Sequence, residues 1–367
     1  MSALTRLFAL APLLLTGCGS DSKSDSEAPT ETAVRWVGRV DLTTPDSPRF
    51  SWSGTGFVAT VRGPTLSVKL KTGGAGDDVY FQPVIDGSAI ERVKVPYGEQ
   101  TTVIATGLSA GDHVLELYRE SEGKLGFSAF GGFVEGTLKA PPRGGERLIE
   151  IIGDSISAGY GNLGHEEHPN SEADPSGGCR FSTETESAYA SYGAVAARLL
   201  DAEASIIALS GWGVYRDNGN NRANVLANVY EGTLSPPASP AWGFEPKPQA
   251  VVINLGTNDF FNGDPGQSEF QGAYGALLAT VRAKYPDAWI FCMIGPLLYG
   301  AGLDAATTYI QGVVDDVNAN GDSKVRVVDV GEQDATQGTG CDWHPSASEH
   351  RSMAEQLASE IRATLDW

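Results

Sequence analysis

Basic residues are scarce in this chain: 26 lysines and arginines stand against 46 aspartates and glutamates, a formal net charge of −20. Such a surface repels phosphate backbones, which excludes nucleic acid as a partner and fits a neutral or polymeric substrate. Long apolar runs are missing as well. The stretch Leu7 to Leu15 falls well short of the roughly 20 residues that cross a bilayer, so no transmembrane helix is expected. Histidine occurs five times and cysteine four times in 367 residues, so candidates for a base, a metal set or a disulfide are few. His165-Glu166-Glu167-His168 is the one grouping with metal-ligand character, and it lies in a weakly apolar stretch with no further clustered ligand. No metal and no other cofactor is expected. His113 falls in a predicted strand and is read as structural, and His350 on the last predicted helix either faces solvent or packs, which leaves His344 as the base.

What is present is organised around Ile149-Glu150-Ile151-Ile152-Gly153-Asp154-Ser155. An apolar run ends at a glycine, and an acid and a serine follow, the pattern of a buried strand delivering a hydroxyl to a sheet edge. Ser155 is the candidate nucleophile. A serine hydroxyl needs a base to take its proton and donors to hold the oxyanion. Val251 to Asp259 is again an apolar strand running into a polar turn, and its Asn258 side chain is a candidate oxyanion donor. Cys341-Asp342-Trp343-His344-Pro345 offers an imidazole with a carboxylate two residues before it.

Gly153-Asp154-Ser155, Ser210-Gly211-Trp212-Gly213, Gly256-Thr257-Asn258-Asp259 and Asp342-Trp343-His344-Pro345, in that order, resemble the four blocks of the SGNH (GDSL-type) hydrolases. Gly211-Trp212-Gly213-Val214-Tyr215-Arg216 and Cys341 to Ser346 are most similar to family 2 carbohydrate esterases. That resemblance implies an acetyl esterase of plant-wall polysaccharide, with Ser155 as nucleophile and His344 as base. It implies an oxyanion hole of the Ser155 and Gly211 backbone N–H groups (Gly213 being the alternative) and the Asn258 amide. Asp342 stands two residues before the histidine where most of the superfamily has an acid at three. A triad with Asp342 is the expectation; a serine–histidine dyad, its imidazole oriented by a backbone carbonyl, is the alternative. Trp343 and Trp212 are candidate sugar-contacting faces, with core packing equally expected for Trp212.

The chain divides by pattern. Residues 1–18 read as a signal peptide, and Leu15-Thr16-Gly17-Cys18 resembles a bacterial lipoprotein signal that would make Cys18 a lipidated first residue. Residues 19–33 are Ser- and acid-rich, a tether that would leave the protein exported and anchored by lipid alone to the cell envelope, at the outer membrane or cell surface. The roughly 350 residues that remain suffice for two domains with separate cores. Residues 34–139 show short alternating strands, the clearest being Leu66–Leu70, Val79–Ile85, Glu91–Val95, Thr101–Ala105 and His113–Tyr118, with turn signals at Asp86-Gly87 and Ala110-Gly111-Asp112, an antiparallel β-sandwich of jelly-roll-like type. After the Pro- and Gly-rich boundary, residues 147–367 alternate five strands (148–152, 204–209, 250–255, 288–294 and 325–329) with four helices (186–200, 267–284, 304–319 and 346–365), an α/β parallel sheet flanked by helices. Ser346 with Glu349 predicts a capping box for the last helix. With Cys18 lipidated and Cys292 inside an apolar strand, Cys179 and Cys341 are left to bridge, although sequence alone leaves two free thiols open. A monomer acting on acetylated polysaccharide is expected. The alternatives are an esterase for another acylated substrate and a surface-anchored carbohydrate-binding lipoprotein with an inactive hydrolase domain.

Overall fold

The computed structural model describes residues 34–367 except 75, 165–178 and 238. Cys18, the tether and the His165–His168 grouping lie outside the described residues. The described residues form one compact unit.

The N-terminal part is antiparallel: β1 (Arg35–Val37), β2 (Arg49–Phe50), β3 (Gly56–Gly73), β4 (Val79–Ile85), β5 (Ser88–Ala89), β6 (Val93–Val95), β7 (Gly98–Thr106), β8 (Asp112–Arg119) and β9 (Phe127–Lys139). All nine belong to one hydrogen-bonded sheet, bent into a half-barrel around the 18-residue strand β3. β3 pairs with β8 through Gly56–Arg62 and with β7 through Thr65–Thr72, and its register shifts between Leu66 and Ser67. The unpaired residue at that step is Ile104 of β7, and such a bulge increases the local twist between the two strands. The enclosed core is aromatic-rich, with Phe50, Phe57, Phe81 and Leu117 buried. His113 bonds Asp86 (Nδ1 to Oδ2, 2.6 Å), a structural role as expected.

The second sheet is parallel and ordered β11-β10-β12-β13-β14, from β10 (Leu148–Gly153), β11 (Glu203–Ala208), β12 (Ala250–Asn254), β13 (Trp289–Ile294) and β14 (Val325–Asp329). Its helices are α1 (Ser155–Ala158), α2 (Tyr192–Leu199), α3 (Thr257–Phe260), α4 (Gln267–Lys284), α5 (Gly300–Ala319) and α6 (Ala347–Leu365). Buried residues of α4 and α5 pack on one face and those of α2 and α6 on the other, which explains why the central strands are apolar at nearly every position. Helix α2 begins six residues later than the 186–200 predicted, because Glu186 to Ser191 is turn held by buried polar contacts. Ser346 Oγ accepts from Glu349 N–H (3.2 Å), so one half of the capping box forms. His350 on α6 is buried and accepts from Tyr192 N–H (3.1 Å).

The strand order reverses direction at β10, the arrangement that opens a crevice beyond the carboxyl ends of the strands. Ser155 follows β10 and Asn258 follows its neighbour β12, while Gly211 lies beyond β11 on the other side.

Between the two sheets lie charged groups rather than a flexible seam. Arg39, fully buried, pairs with Glu150 (3.1 Å), and Arg35 pairs with Glu203 (2.5 Å). Glu120 accepts from Ser187 Oγ and Tyr189 N–H at 2.9 Å each. Trp52, from the turn before β3, is fully buried among Ile207, Leu209 and other residues of the parallel-sheet core. The antiparallel sheet thus has its own core and also completes that of its neighbour.

Candidate active site

Asp154 caps the four-residue helix α1: its Oδ1 accepts from Ile156 N–H at 3.0 Å. That turn sets Ser155, 6% exposed, with Oγ 2.8 Å from His344 Nε2. The Nδ1 side of the ring faces the backbone carbonyl of Asp342 at 3.1 Å. An Nδ1–H donating there leaves Nε2 as the acceptor for the serine proton, the tautomer a general base requires.

The expected Asp342 carboxylate does not take part in this pairing, which corrects the triad. Its Oδ2 accepts instead from Tyr160 O–H and from Phe181 N–H, each at 2.9 Å. The cause is local backbone. Alternation along an extended chain would place residues 342 and 344 on one side, but Asp342 and Trp343 both adopt left-handed conformations, with φ of 50° and 60°. The turn rotates the carboxylate away and brings the residue's own carbonyl under the imidazole. Two consecutive non-glycine residues there carry strain of about 1–2 kcal/mol each. The carboxylate contacts offset it, together with Asp342 N–H donating to Cys179 O (2.8 Å) and Gly340 N–H donating to His344 O (2.7 Å).

Burial pushes the His344 imidazole below its ordinary value of 6.5, and this outweighs the Asp342 and Cys341 contacts that would raise it. The sign follows directly. A protonated imidazole cannot accept the serine proton, so kcat/KM should fall as pH drops through a value lower than 6.5. A pH profile whose acid limb is centred above 6.5 would contradict this.

The Ser155 and Gly211 backbone N–H groups have no hydrogen-bond partner among the described residues and line the same cavity, of about 580 Å³. Asn258 also lines it. Its Nδ2 lies 2.9 Å from Trp212 O and 3.2 Å from Asp154 Oδ2, so both amide hydrogens have protein acceptors and the longer contact is the one more readily surrendered. Asp154, fully buried and close to Asp259, is pushed up to about 7, chiefly by desolvation. Gly213 has another task. A side chain there would overlap Asp259, whose carboxylate accepts from the N–H groups of Val214, Tyr215 and Arg216 at 2.7–3.0 Å.

Trp343 is 58% exposed on the cavity wall, whereas Trp212 packs against the parallel-sheet core, resolving its two readings toward packing. Cys179 and Cys341 form a disulfide, which ties the histidine loop to the chain beyond the nucleophile. Gly164 sits so close that a Cβ on it would overlap both sulfurs. The bridge closes 162 residues, so loop-closure entropy puts its worth at up to about 5 kcal/mol. The Cys179→Ser/Cys341→Ser variant should unfold at clearly lower urea concentration. An unchanged midpoint would show that loop contacts alone hold the turn.

Sequence reasoning missed several contributors. Tyr160 stacks between Phe181 and His344, with centroids 4.2 and 4.3 Å away, and it holds the Asp342 carboxylate. Phe261 and Tyr299, 70% and 53% exposed, join Trp343 at the cavity. Lys124 reaches the cavity from the antiparallel sheet. Only Phe260-Phe261, an aromatic pair directly after the Asn258 block, carried any signal along the chain.

Residues 36–142 match the family model for the carbohydrate esterase 2 N-terminal domain, and residues 151–352 match that of the GDSL-like lipase/acylhydrolase family. The structure superposes with a TM-score of 0.84 on a family two carbohydrate esterase from Clostridium thermocellum solved with cellohexaose, at 39% identity, covering 91% of this chain and 99% of that one. The chain belongs to the family 2 carbohydrate esterases. It is therefore a carboxylic ester hydrolase, with the half-barrel and parallel sheet of those structures. It is 39% identical over 348 residues to the cellulase/esterase CelE of Acetivibrio thermocellus, covering 94% of this chain and 41% of that much longer protein. An acetylxylan esterase/glucomannan deacetylase of Cellvibrio japonicus is 24% identical over 351 residues, with 94% and 93% of the two chains covered.

Proposed function

We propose that this esterase removes O-acetyl groups from a xylan- or glucomannan-type polysaccharide through an acetyl-enzyme on Ser155. The observation that carries the reading is the 2.8 Å pair between Ser155 Oγ and His344 Nε2 at the floor of an open, aromatic-rimmed cleft. As Oγ attacks the acetyl carbonyl, its proton passes to Nε2. The Asp342 carbonyl stabilises the imidazolium through Nδ1–H, so no carboxylate is needed beside the ring. The oxyanion is received by the N–H groups of Ser155 and Gly211 and by the Asn258 amide, which gives up its longer contact to Asp154. His344 then returns the proton to the departing sugar hydroxyl, and water, deprotonated by the same nitrogen, clears the acetyl group.

Trp343 offers an exposed face to a sugar ring. The Cellvibrio relative, named for xylan and glucomannan, supports those two polymers, and the cellohexaose complex supports a glycan chain lying along such a cleft. We also infer export, attachment to the cell envelope through a lipid on Cys18, and a monomeric state. The direct test is acetate release from acetylated xylan, acetylated glucomannan and 4-nitrophenyl acetate by the protein lacking residues 1–18. Release from at least one polymer is expected. Polysaccharide binding without any release would instead support a carbohydrate-binding lipoprotein with an inactive hydrolase domain.

A further inference from the structure

The segment Glu122-Gly123-Lys124 belongs to the antiparallel sheet region, yet it grips one residue of the hydrolase, Ser210, by both of its backbone polar groups. Glu122 is buried, and its Oε2 accepts from Ser210 N–H at 2.8 Å. The Lys124 ammonium donates to the Ser210 carbonyl. That carbonyl belongs to the same planar unit as the Gly211 N–H. In a trans peptide the two point in opposite directions, so fixing the C=O on Lys124 fixes where the N–H aims. We propose that Lys124 is a positioning residue for the oxyanion hole, holding and polarising the Ser210–Gly211 peptide so that its N–H receives the developing charge, while Glu122 anchors the preceding Leu209–Ser210 peptide. The inference rests on the serine-esterase reading above and assigns the N-terminal domain a part in transition-state binding.

Three features make the grip a rigid one. Gly123 lies against Ser235 and Ser51 so closely that a Cβ would overlap the Ser235 side chain. Ser235 Oγ donates to Gly123 O at 3.0 Å, and Ser235 N–H donates to Ser51 Oγ at 2.8 Å. Glu122 N–H is itself held by Glu186 Oε2 at 3.1 Å. On the hydrolase side Gly211 has φ of 78°, a left-handed conformation that suits glycine, and its carbonyl accepts from Asn218 N–H at 2.9 Å. The peptides on both sides of the Gly211 α-carbon are therefore pinned, one by Lys124 and one by Asn218. A cation on the carbonyl end of an amide strengthens its N–H as a donor, because the dipoles of linked hydrogen bonds reinforce one another. Lys124 also lines the cavity that holds Ser155, so its charge acts on the oxyanion through space as well.

The test compares wild type, Lys124→Met and Lys124→Arg, with Lys124→Gln replacing the methionine variant should it misfold. Three quantities are read: kcat and KM on 4-nitrophenyl acetate and acetylated xylan, thermal midpoint, and inhibition by methylboronic acid. Addition of Ser155 Oγ to that boron forms a B–O bond and a tetrahedral anion, with the serine proton held on His344. Removing a whole oxyanion donor costs about 100- to 1000-fold. Weakening one should cost less, so Lys124→Met is expected to lose about tenfold in kcat on both substrates and about tenfold in boronate affinity. KM and thermal midpoint should stay unchanged, and Lys124→Arg should recover most of the loss. A change confined to KM on xylan, an unaffected boronate affinity, or equal losses in the Met and Arg variants would overturn the proposal. An inert wild type would instead remove the esterase reading itself, which keeps the two failures apart.

Discussion

Ser155→Ala should lower kcat for acetate release on the order of 10⁴- to 10⁶-fold while leaving the fold and polysaccharide binding in place. In the proposed mechanism its Oγ is the atom that takes the acetyl group, and among the described residues the ring's two bonds go to Ser155 and to the Asp342 carbonyl. Ser157, the nearest serine along the chain, is buried and bonded to Tyr192 O–H at 2.8 Å. The alanine leaves the Asp154 cap on α1 intact, because that cap uses backbone N–H. Kinetics on 4-nitrophenyl acetate beside a thermal melt make the check. Retention of a tenth or more of the activity would place the nucleophile elsewhere.

The second large effect separates dyad from triad. His344→Ala should cost as much as Ser155→Ala, and the double variant no more than either, because the pair acts as one unit and its losses do not add. Asp342→Asn, in contrast, should keep kcat within about tenfold of wild type, where removal of a triad carboxylate costs about 10⁴-fold. The asparagine keeps the backbone carbonyl that faces Nδ1, tolerates the left-handed conformation, and retains an oxygen for Tyr160 and Phe181. A loss near 10⁴-fold in Asp342→Asn would restore the carboxylate to the mechanism. Tyr160, stacked on the imidazole, becomes important in a dyad, since with only a carbonyl beneath the ring its orientation depends more on packing.

Much of this was legible along the chain because it depends on local pattern. The five parallel strands were found within a residue or two, since each is an apolar run buried on both faces. Ser155 and Asn258 sit where those runs end, and that placement reads directly as a crevice. The antiparallel strands were found less completely. β3 spans 18 residues, and only Leu66–Leu70 stood out, because the rest of the strand changes which face is buried as it bends.

The sequence by itself therefore determined the strand–turn frame, the candidate nucleophile and base, and the chemistry their residue types allow, since each depends on residues adjacent in the chain. Tertiary structure decided the rest. Whether Asp342 or its own carbonyl meets His344 depends on two left-handed residues held by partners about 160 and 180 positions away, Phe181 and Tyr160. Whether Trp212 faces sugar or core depends on which sheet covers it. That Lys124 and Glu122 of the antiparallel region reach the two backbone groups of Ser210 depends on the packing of two sheets, and neither local propensity nor spacing carries that information.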